Sequence, residues 1–330
     1  VVAITTHTAA YATPNRSIHV AAAVIMDARG RILLNRRRGD SDLPGLWEFA
    51  GGKCEPGETP QQALVRELRE ELGIEAQIGA WLMDIPQCYP DKRLRLSVYR
   101  VSHWKGIPRG REGQAITWVN VDKLTRYSMP SADQPVVAAL TQPDCYLVTP
   151  EPKSSQPADI QVWLDTLDRV IANGIERIHL RLPSFPIEQR RSLSRQAVQR
   201  FAQRAQLFVY RDIELARELN TGVHLGSQQL LQLAARSMPK RLLAAASCHD
   251  LPQLHAAQRL GCDFVLLGPV QATSSHPDDT RLLGWEGFEH LREQVGLPIY
   301  AIGGLHPEDI TTARKHGAQG IAAISALWKA

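Results

Sequence analysis

The sequence lacks the features that mark several common protein classes. Its five cysteines (54, 88, 145, 248 and 262) are scattered, with no C-x-x-C pair. Neither a disulfide framework nor a zinc ribbon is indicated, and the odd count fits a reducing, cytoplasmic setting. Eleven histidines include no HExxH or other paired metal spacing, which excludes the zincin pattern. No apolar run reaches membrane length, and the opening VVAITTHTAAYATPN has neither the basic start nor the apolar stretch of a signal peptide. Residues 1–17 are expected to form a flexible leader. Aromatics make up 6% of the chain and the net charge is +4 with both signs mixed, so no basic stripe interleaved with rings argues for direct nucleic-acid binding. What remains, at 330 residues, is a globular chain long enough for two ordinary domains.

Residues 52–74 read GKCEPGETPQQALVRELREELGI. Thr59 is a candidate N-cap, Pro60 suits the first helical position, and Gln62 completes a capping box. The segment predicts a helix from Pro60 to Leu72, stopped by Gly73. Leu64, Leu68 and Leu72 recur every four residues as a buried stripe, while Glu67, Glu70 and Glu71 gather on another face. Like charges at that spacing oppose the helix by roughly a few tenths of a kcal/mol per pair, and a hard cation offsets them. Magnesium, or manganese in its place, prefers such oxygens and leaves room for substrate phosphates. The plain alternative is a solvated charged face, with Arg66 paired to Glu70 and Glu58 paired to a basic side chain; the ordered GGK-x-E-x-GE loop before the helix argues against it.

The box fits the Nudix pattern G-x5-E-x7-R-E-U-x-E-E-x-G-U, with U a bulky aliphatic residue, at every specified position. From about residue 18 to 140 the chain resembles the MutT-type Nudix hydrolases, which remove oxidised guanine nucleotides from the precursor pool. Three further stretches carry the likeness: LLNRRRGDSDLPGLWEFAGGK (33–53), GREGQAITW (110–118) and MPSADQPVV (129–137). The resemblance implies that Glu67, Glu70, Glu71 and Glu112, with Gly52, hold divalent ions. Arg66 belongs to the same catalytic set, and one glutamate activates water. It implies substrate contacts at Arg37, Glu48, Phe49, Gly51, Gly52 and Lys53, and at Lys92 and Asp133, where the group usually has arginine and asparagine. Ionised aspartate only accepts hydrogen bonds, so it can accept from the N7 hydrogen that 8-oxoguanine has and guanine lacks; donating to O6 requires a protonated Asp133 in a dry pocket. A turn residue before Pro135 is its plain reading. The implied activity is 8-oxo-dGTP diphosphatase, releasing a nucleoside monophosphate and pyrophosphate in nucleotide-pool sanitation. Cys54 reads as a tolerated small residue, and the arginines at 36–38 as the rim of a polyphosphate site.

From Cys145 onward, eight short apolar strand-like segments alternate with amphipathic helical ones. Such alternation implies parallel strands buried on both faces, and eight units predict a closed (β/α)8 TIM-type barrel after an N-terminal Nudix α/β/α sandwich. A doubly wound sheet is the alternative. The expected domains are 18–142 and 143–330, with residues 150–157 in a loop at the barrel's mouth.

The segments GVHLGSQQL (222–230), SCHD (247–250), GCDFVLLGPVQAT (261–273) and AIGGL (301–305), followed by GIAAISA (320–326), resemble thiamine phosphate synthase. The resemblance implies a phosphate cup at Gly303, Gly304, Ile324 and Ser325. It departs from the family where two metal-holding acidic residues become Arg211 and Gln229. A basic pair is reduced to Arg181, with His179 and Pro183 flanking, and a lysine becomes His276. The expected barrel has lost or changed its synthase activity and binds a thiamine-related phosphate; the alternative is a bifunctional or thiamine-pathway enzyme. His224 and His249 read as strand-end polar contacts.

Overall fold

The computed structural model describes residues 16–40, 42–236, 238–273 and 282–329. Of the leader expected over 1–17, residues 1–15 lie outside the described residues, as does the position of His276, while Ser17 already belongs to the first strand. In the first domain, β1 (Ser17–Ile25), β2 (Arg31–Arg36), β3 (Trp47–Glu48) and β4 (Ala50–Lys53) precede α1 (Pro60–Leu72). Then come β5 (Glu75–Gln77), β6 (Trp81–Cys88), β7 (Arg93–Val101), β8 (His103–Lys105), β9 (Ile116–Asn120) and α2 (Gln134–Thr141). The main sheet has order β4-β1-β7-β6, with β1 and β7 parallel and the outer pairs antiparallel. Successive side chains of a strand face opposite ways, so β1 feeds two cores. Ala21, Ala23 and Ile25 meet the α1 stripe, while Ala22 and Val24 pack with Val136 and Val137 of α2. This is the expected α/β/α sandwich.

α1 forms for the reasons its sequence gives. Thr59 Oγ1 accepts from the Gln62 N–H (3.3 Å) and Gln62 Oε1 accepts from the Thr59 N–H (2.8 Å). Gly73, at φ 69°, closes the helix with its N–H on the Arg69 carbonyl. Leu64, Leu68 and Leu72 are fully buried, each stabilising the domain by roughly 1.5–3 kcal/mol. That anchorage fixes which way the neighbouring glutamates point.

The second domain runs β10 (Cys145–Val148), α3 (Pro157–Ala172), β11 (Arg177–Leu180), α4 (Ile187–Phe201), β12 (Gln206–Tyr210), α5 (Ile213–Glu218), β13 (Gly222–Leu225) and α6 (Ser227–Gln232). It continues β14 (Ala244–Cys248), α7 (Leu251–Arg259), β15 (Phe264–Leu267), α8 (Gly284–Arg292), β16 (Ile299–Ile302), α9 (Ile310–Lys315) and β17 (Gly320–Ala323). All eight strands are parallel and close in chain order, β17 pairing with β10, which excludes the doubly wound sheet. Tyr146, Phe208, Phe264 and Tyr300 fill the interior edge to face or tilted. The Arg177 guanidinium lies 4.4 Å from the Phe264 ring centre and donates to Tyr300 Oη. This floor seals the barrel, leaving a cavity at the carboxyl ends of the strands. The loop expected over 150–157 stands there, except that Pro157 already opens α3. Among the described residues no helix is long and apolar enough to cross a membrane.

Candidate functional site

In the first domain, β4, the end of α1, the 110–114 loop and the segments 89–92 and 130–133 surround a cavity of about 570 Å³, within the usual range for small-molecule sites. The glycines of β4 are required by space. A Cβ on Gly52 would fall 2.2 Å from the Glu67 carboxylate, and one on Gly51 (φ 148°) 2.1 Å from the Ala21 carbonyl oxygen. Glu67 therefore stands directly behind the loop, and Glu71 and Glu112 line the cavity, whereas Glu70 is not among its lining residues and is more than half exposed beside Arg66. Burial pushes the Glu71 carboxyl up to about 8, with the charges of Glu67, Glu48 and Glu112 adding to the effect. Burial raises Glu67 as well.

Arg66 does more than pair with Glu70. It grips Glu58 at 2.8 Å and Glu67 at 2.9 Å, reaches Glu70 at 3.5 Å, and donates to the Lys53 carbonyl. It thereby laces the loop to the helix, and its hydrogen bond holds Glu58 down at about 2. Among the described residues no three His, Cys, Asp or Glu side chains form a ready-made cation cage, since Arg66 holds Glu67 and Glu70 while Arg38 reaches Glu112 at 3.7 Å. The donor set nevertheless fits a hard cation: it is all oxygen, it is crowded with like charge, and its most buried member is hard to ionise alone.

The opposite wall carries the base-side residues. Asp133, 6% exposed, precedes α2 and accepts from the Phe49 N–H at 3.4 Å. Burial pushes its carboxyl up to about 7, and the Glu48 charge adds to this. Glu48 is itself paired with Arg37, whose Nε donates to the Asp42 carbonyl at 2.5 Å. Lys92 is paired with Asp42 and sits 5.7 Å from the Tyr89 ring centre. Lys53, exposed, lines the cavity beside the glycines. Sequence reasoning missed Asn35, 3% exposed, which donates to Glu71 Oε2 at 3.2 Å. It also missed Gln114, which bonds the Glu71 carbonyl and the Glu112 N–H. A polar residue inside the buried strand LLNR was the available signal for Asn35.

The barrel's cavity, about 510 Å³, brings together Gly303, Gly304, Ile324 and Ser325 with Arg181, Arg211, His179, His224 and His249. Gly303 must be glycine, since at φ 109° a Cβ would lie 2.7 Å from Pro269 Cα. No carboxylate is among the described lining residues. Arg211 and Gln229 do sit together, the Gln229 amide donating to the Arg211 carbonyl at 2.9 Å. Asp212 cannot replace the missing acid, because it caps α5 and pairs with Arg191 at 2.7 Å. The described residues lining this cavity do not fit a divalent cation. His224 is not a strand-end contact but an interior one: fully buried, it bonds the Tyr146 hydroxyl and Ser247 and stacks 4.0 Å from His179. Burial holds His224 down at about 3, hence neutral. His179, 3% exposed, has no hydrogen-bond partner for either ring nitrogen among the described residues. His249 bonds the Gly268 carbonyl, a strand-end contact as expected.

Residues 16–140 match the NUDIX domain model and residues 145–327 the thiamine monophosphate synthase model. The chain belongs to both families, one in each domain. The Nudix part is 42% identical over 124 residues to the CTP pyrophosphohydrolase of Escherichia coli (strain K12), 38% of this chain and 91% of that protein. It is 37% identical over 125 residues to the 8-oxo-dGTP diphosphatase of the same organism, covering 38% and 97%. The barrel is 30% identical over 166 residues to a putative thiamine-phosphate synthase 2 of Aquifex aeolicus (strain VF5), covering 49% and 88%. Nudix hydrolases act on pyrophosphate bonds and generally use divalent cations, typically magnesium.

Proposed function

We propose that the first domain hydrolyses a nucleoside triphosphate to the monophosphate and pyrophosphate, with 8-oxo-dGTP preferred. The observation that carries the base preference is Asp133, buried in the cavity wall with its carboxyl near 7. A neutral carboxyl presents one donor beside one acceptor, as an asparagine amide does. It pairs with the N7–H and O6 of 8-oxoguanine, whereas guanine offers two acceptors there. Cytosine, with N3 beside its amine, presents a similar donor–acceptor edge, which makes CTP the second reading.

Glu67, Glu70, Glu71 and Glu112, with the Gly52 carbonyl, would hold the divalent ions, which when bound neutralise charge on the phosphates. Glu71, positioned by Asn35 and by the Gly51 N–H, accepts the proton of the attacking water. The water oxygen bonds to one phosphorus of the α–β bridge as that phosphorus loses its bond to the bridging oxygen, and the monophosphate and pyrophosphate separate. Arg66 keeps the loop and helix in register; Lys53 and Arg37 supply cations at the cavity. For the barrel, its cavity supports binding of a phosphate ester without the family's metal-assisted coupling.

Steady-state kcat/KM of the full chain with magnesium on 8-oxo-dGTP, dGTP, CTP and hydroxymethylpyrimidine pyrophosphate tests this, with released phosphate species identified. Preference for 8-oxo-dGTP with pyrophosphate release is expected. Equal rates on dGTP would sink the base reading, and activity confined to the pyrimidine pyrophosphate would move the protein into thiamine metabolism.

A further inference from the structure

Strand β6 is the edge of the first domain's main sheet, and barrel elements cover it, as exposed edges require. The Cys88 N–H and the Gln87 side chain both donate to the Glu293 carbonyl, at 2.7 and 3.0 Å. Pro86, with no N–H to offer a neighbour, lies so close to Gly317 that a Cβ there would approach its Cδ to 2.8 Å. Glu293, 2% exposed, pairs with Arg93 at 2.6 Å, and Glu289 reaches Arg95 at 3.5 Å. Fully buried Arg292 fixes the turn that follows by donating to the Val295 and Gly317 carbonyls.

Immediately beyond Cys88 the chain enters residues 89–92, which line the nucleotide cavity. Tyr89 lies beside Ser131 and the Ala132 backbone, whose polar groups partly offset the rise that burial gives its phenol. Ser131 rests on Gly296, where a Cβ would lie 2.8 Å from the serine Cβ. Both segments of the base-side wall, 89–92 and 130–133, therefore lean on one barrel turn.

We propose that the 293–296 turn of the barrel is a positioning element for the first domain's site: it holds Tyr89 and Asp133 in place and so sets base selectivity. None of its residues touches substrate. The selectivity part rests on the nucleotide reading above; the support itself does not. The turn leads into the amino end of β16, whereas the barrel's cavity opens at the carboxyl ends, so the support does not depend on what the barrel binds.

The test uses the full chain with Gly296→Val, which adds bulk against Ser131 at a position outside the left-handed region. Gly287→Ala on α8 is the control, its added Cβ meeting nothing closer than Leu283 at 3.6 Å. Hydrogen exchange over 86–93 and 129–137 should rise in Gly296→Val. KM should rise about tenfold with kcat within about twofold, because a misplaced wall weakens binding before chemistry, and the preference for 8-oxo-dGTP over dGTP should fall. Gly287→Ala should match wild type. Wild-type exchange and KM in a folded Gly296→Val protein would overturn the proposal. If that variant fails to fold, Glu293→Gln, which weakens the tie to Arg93, decides by the same readouts. Should the wild type hydrolyse no nucleotide, the functional reading fails while the exchange comparison still judges the support.

Discussion

Glu71 is caught between burial and the charges of Glu67, Glu48 and Glu112, which together lift its carboxyl to about 8. A carboxyl raised in the folded state favours folding while protonated; that contribution is complete below the ordinary carboxylate range and is lost as the pH rises to about 8. Asp133, lifted to about 7, acts in the same direction. Without divalent ions, thermal unfolding of the wild type should therefore shift to lower temperature between about pH 5 and 8.5, and less so in Glu71→Gln. Magnesium at the alkaline end should restore the wild type more than the variant; equal responses would remove Glu71 from the cation site. In kinetics Glu71→Gln should lower kcat by about 10²–10⁴-fold, and a variant retaining full magnesium-dependent activity would sink its role as base. The residues that hold Glu71 from outside the box were less legible. Asn35 lies 36 positions away and Gln114 lies 43, and nothing in their local pattern says which carboxylate they meet.

At the scale of elements, α1 was legible almost to the residue, because its determinants are local: cap, proline, stripe and terminal glycine all fall within residues 59–73. Two substitutions separate its stability from its chemistry. Thr59→Ala removes a cap worth about 1 kcal/mol and should lower the urea midpoint while leaving KM unchanged. Leu68→Ala empties a fully buried site between Glu67 and Glu71, costs about 2–5 kcal/mol, and should depress kcat as well. Unchanged kcat in the folded Leu68→Ala protein would mean that the stripe does not position the glutamates. The barrel strands were legible from their short apolar runs, but the chemistry at their ends was not. Asp212 is an acid in the right neighbourhood, yet Arg191 from α4 and the cap of α5 turn it away. His224 faces inward because it is on the interior side of β13, where Tyr146 and Ser247 satisfy it.

For the molecule as a whole, two sites of different charge character share one chain: a cavity in the sandwich lined by both carboxylates and basic side chains, and a barrel cavity with arginines and histidines and no described carboxylate. The carboxylates of the first suit a divalent cation, and the described lining of the second suits an anion. Calorimetric titration of inorganic pyrophosphate into the full chain in EDTA should detect binding at the barrel that Arg211→Ala weakens and Glu71→Gln does not. Binding that requires magnesium would contradict this. The contact between the domains, Gln87 to Glu293, spans 206 positions, and no pattern in either segment announces it. The central claim is that a neutral Asp133 reads the donor–acceptor edge of the base. Its most direct test is the ratio of kcat/KM for 8-oxo-dGTP to that for dGTP, measured from about pH 5.5 to 8.5 in wild type and Asp133→Asn; the ratio cancels titrations common to both substrates. The account predicts a wild-type ratio that changes as the pH passes about 7, and a flat ratio in Asp133→Asn. A flat ratio in the wild type would contradict it.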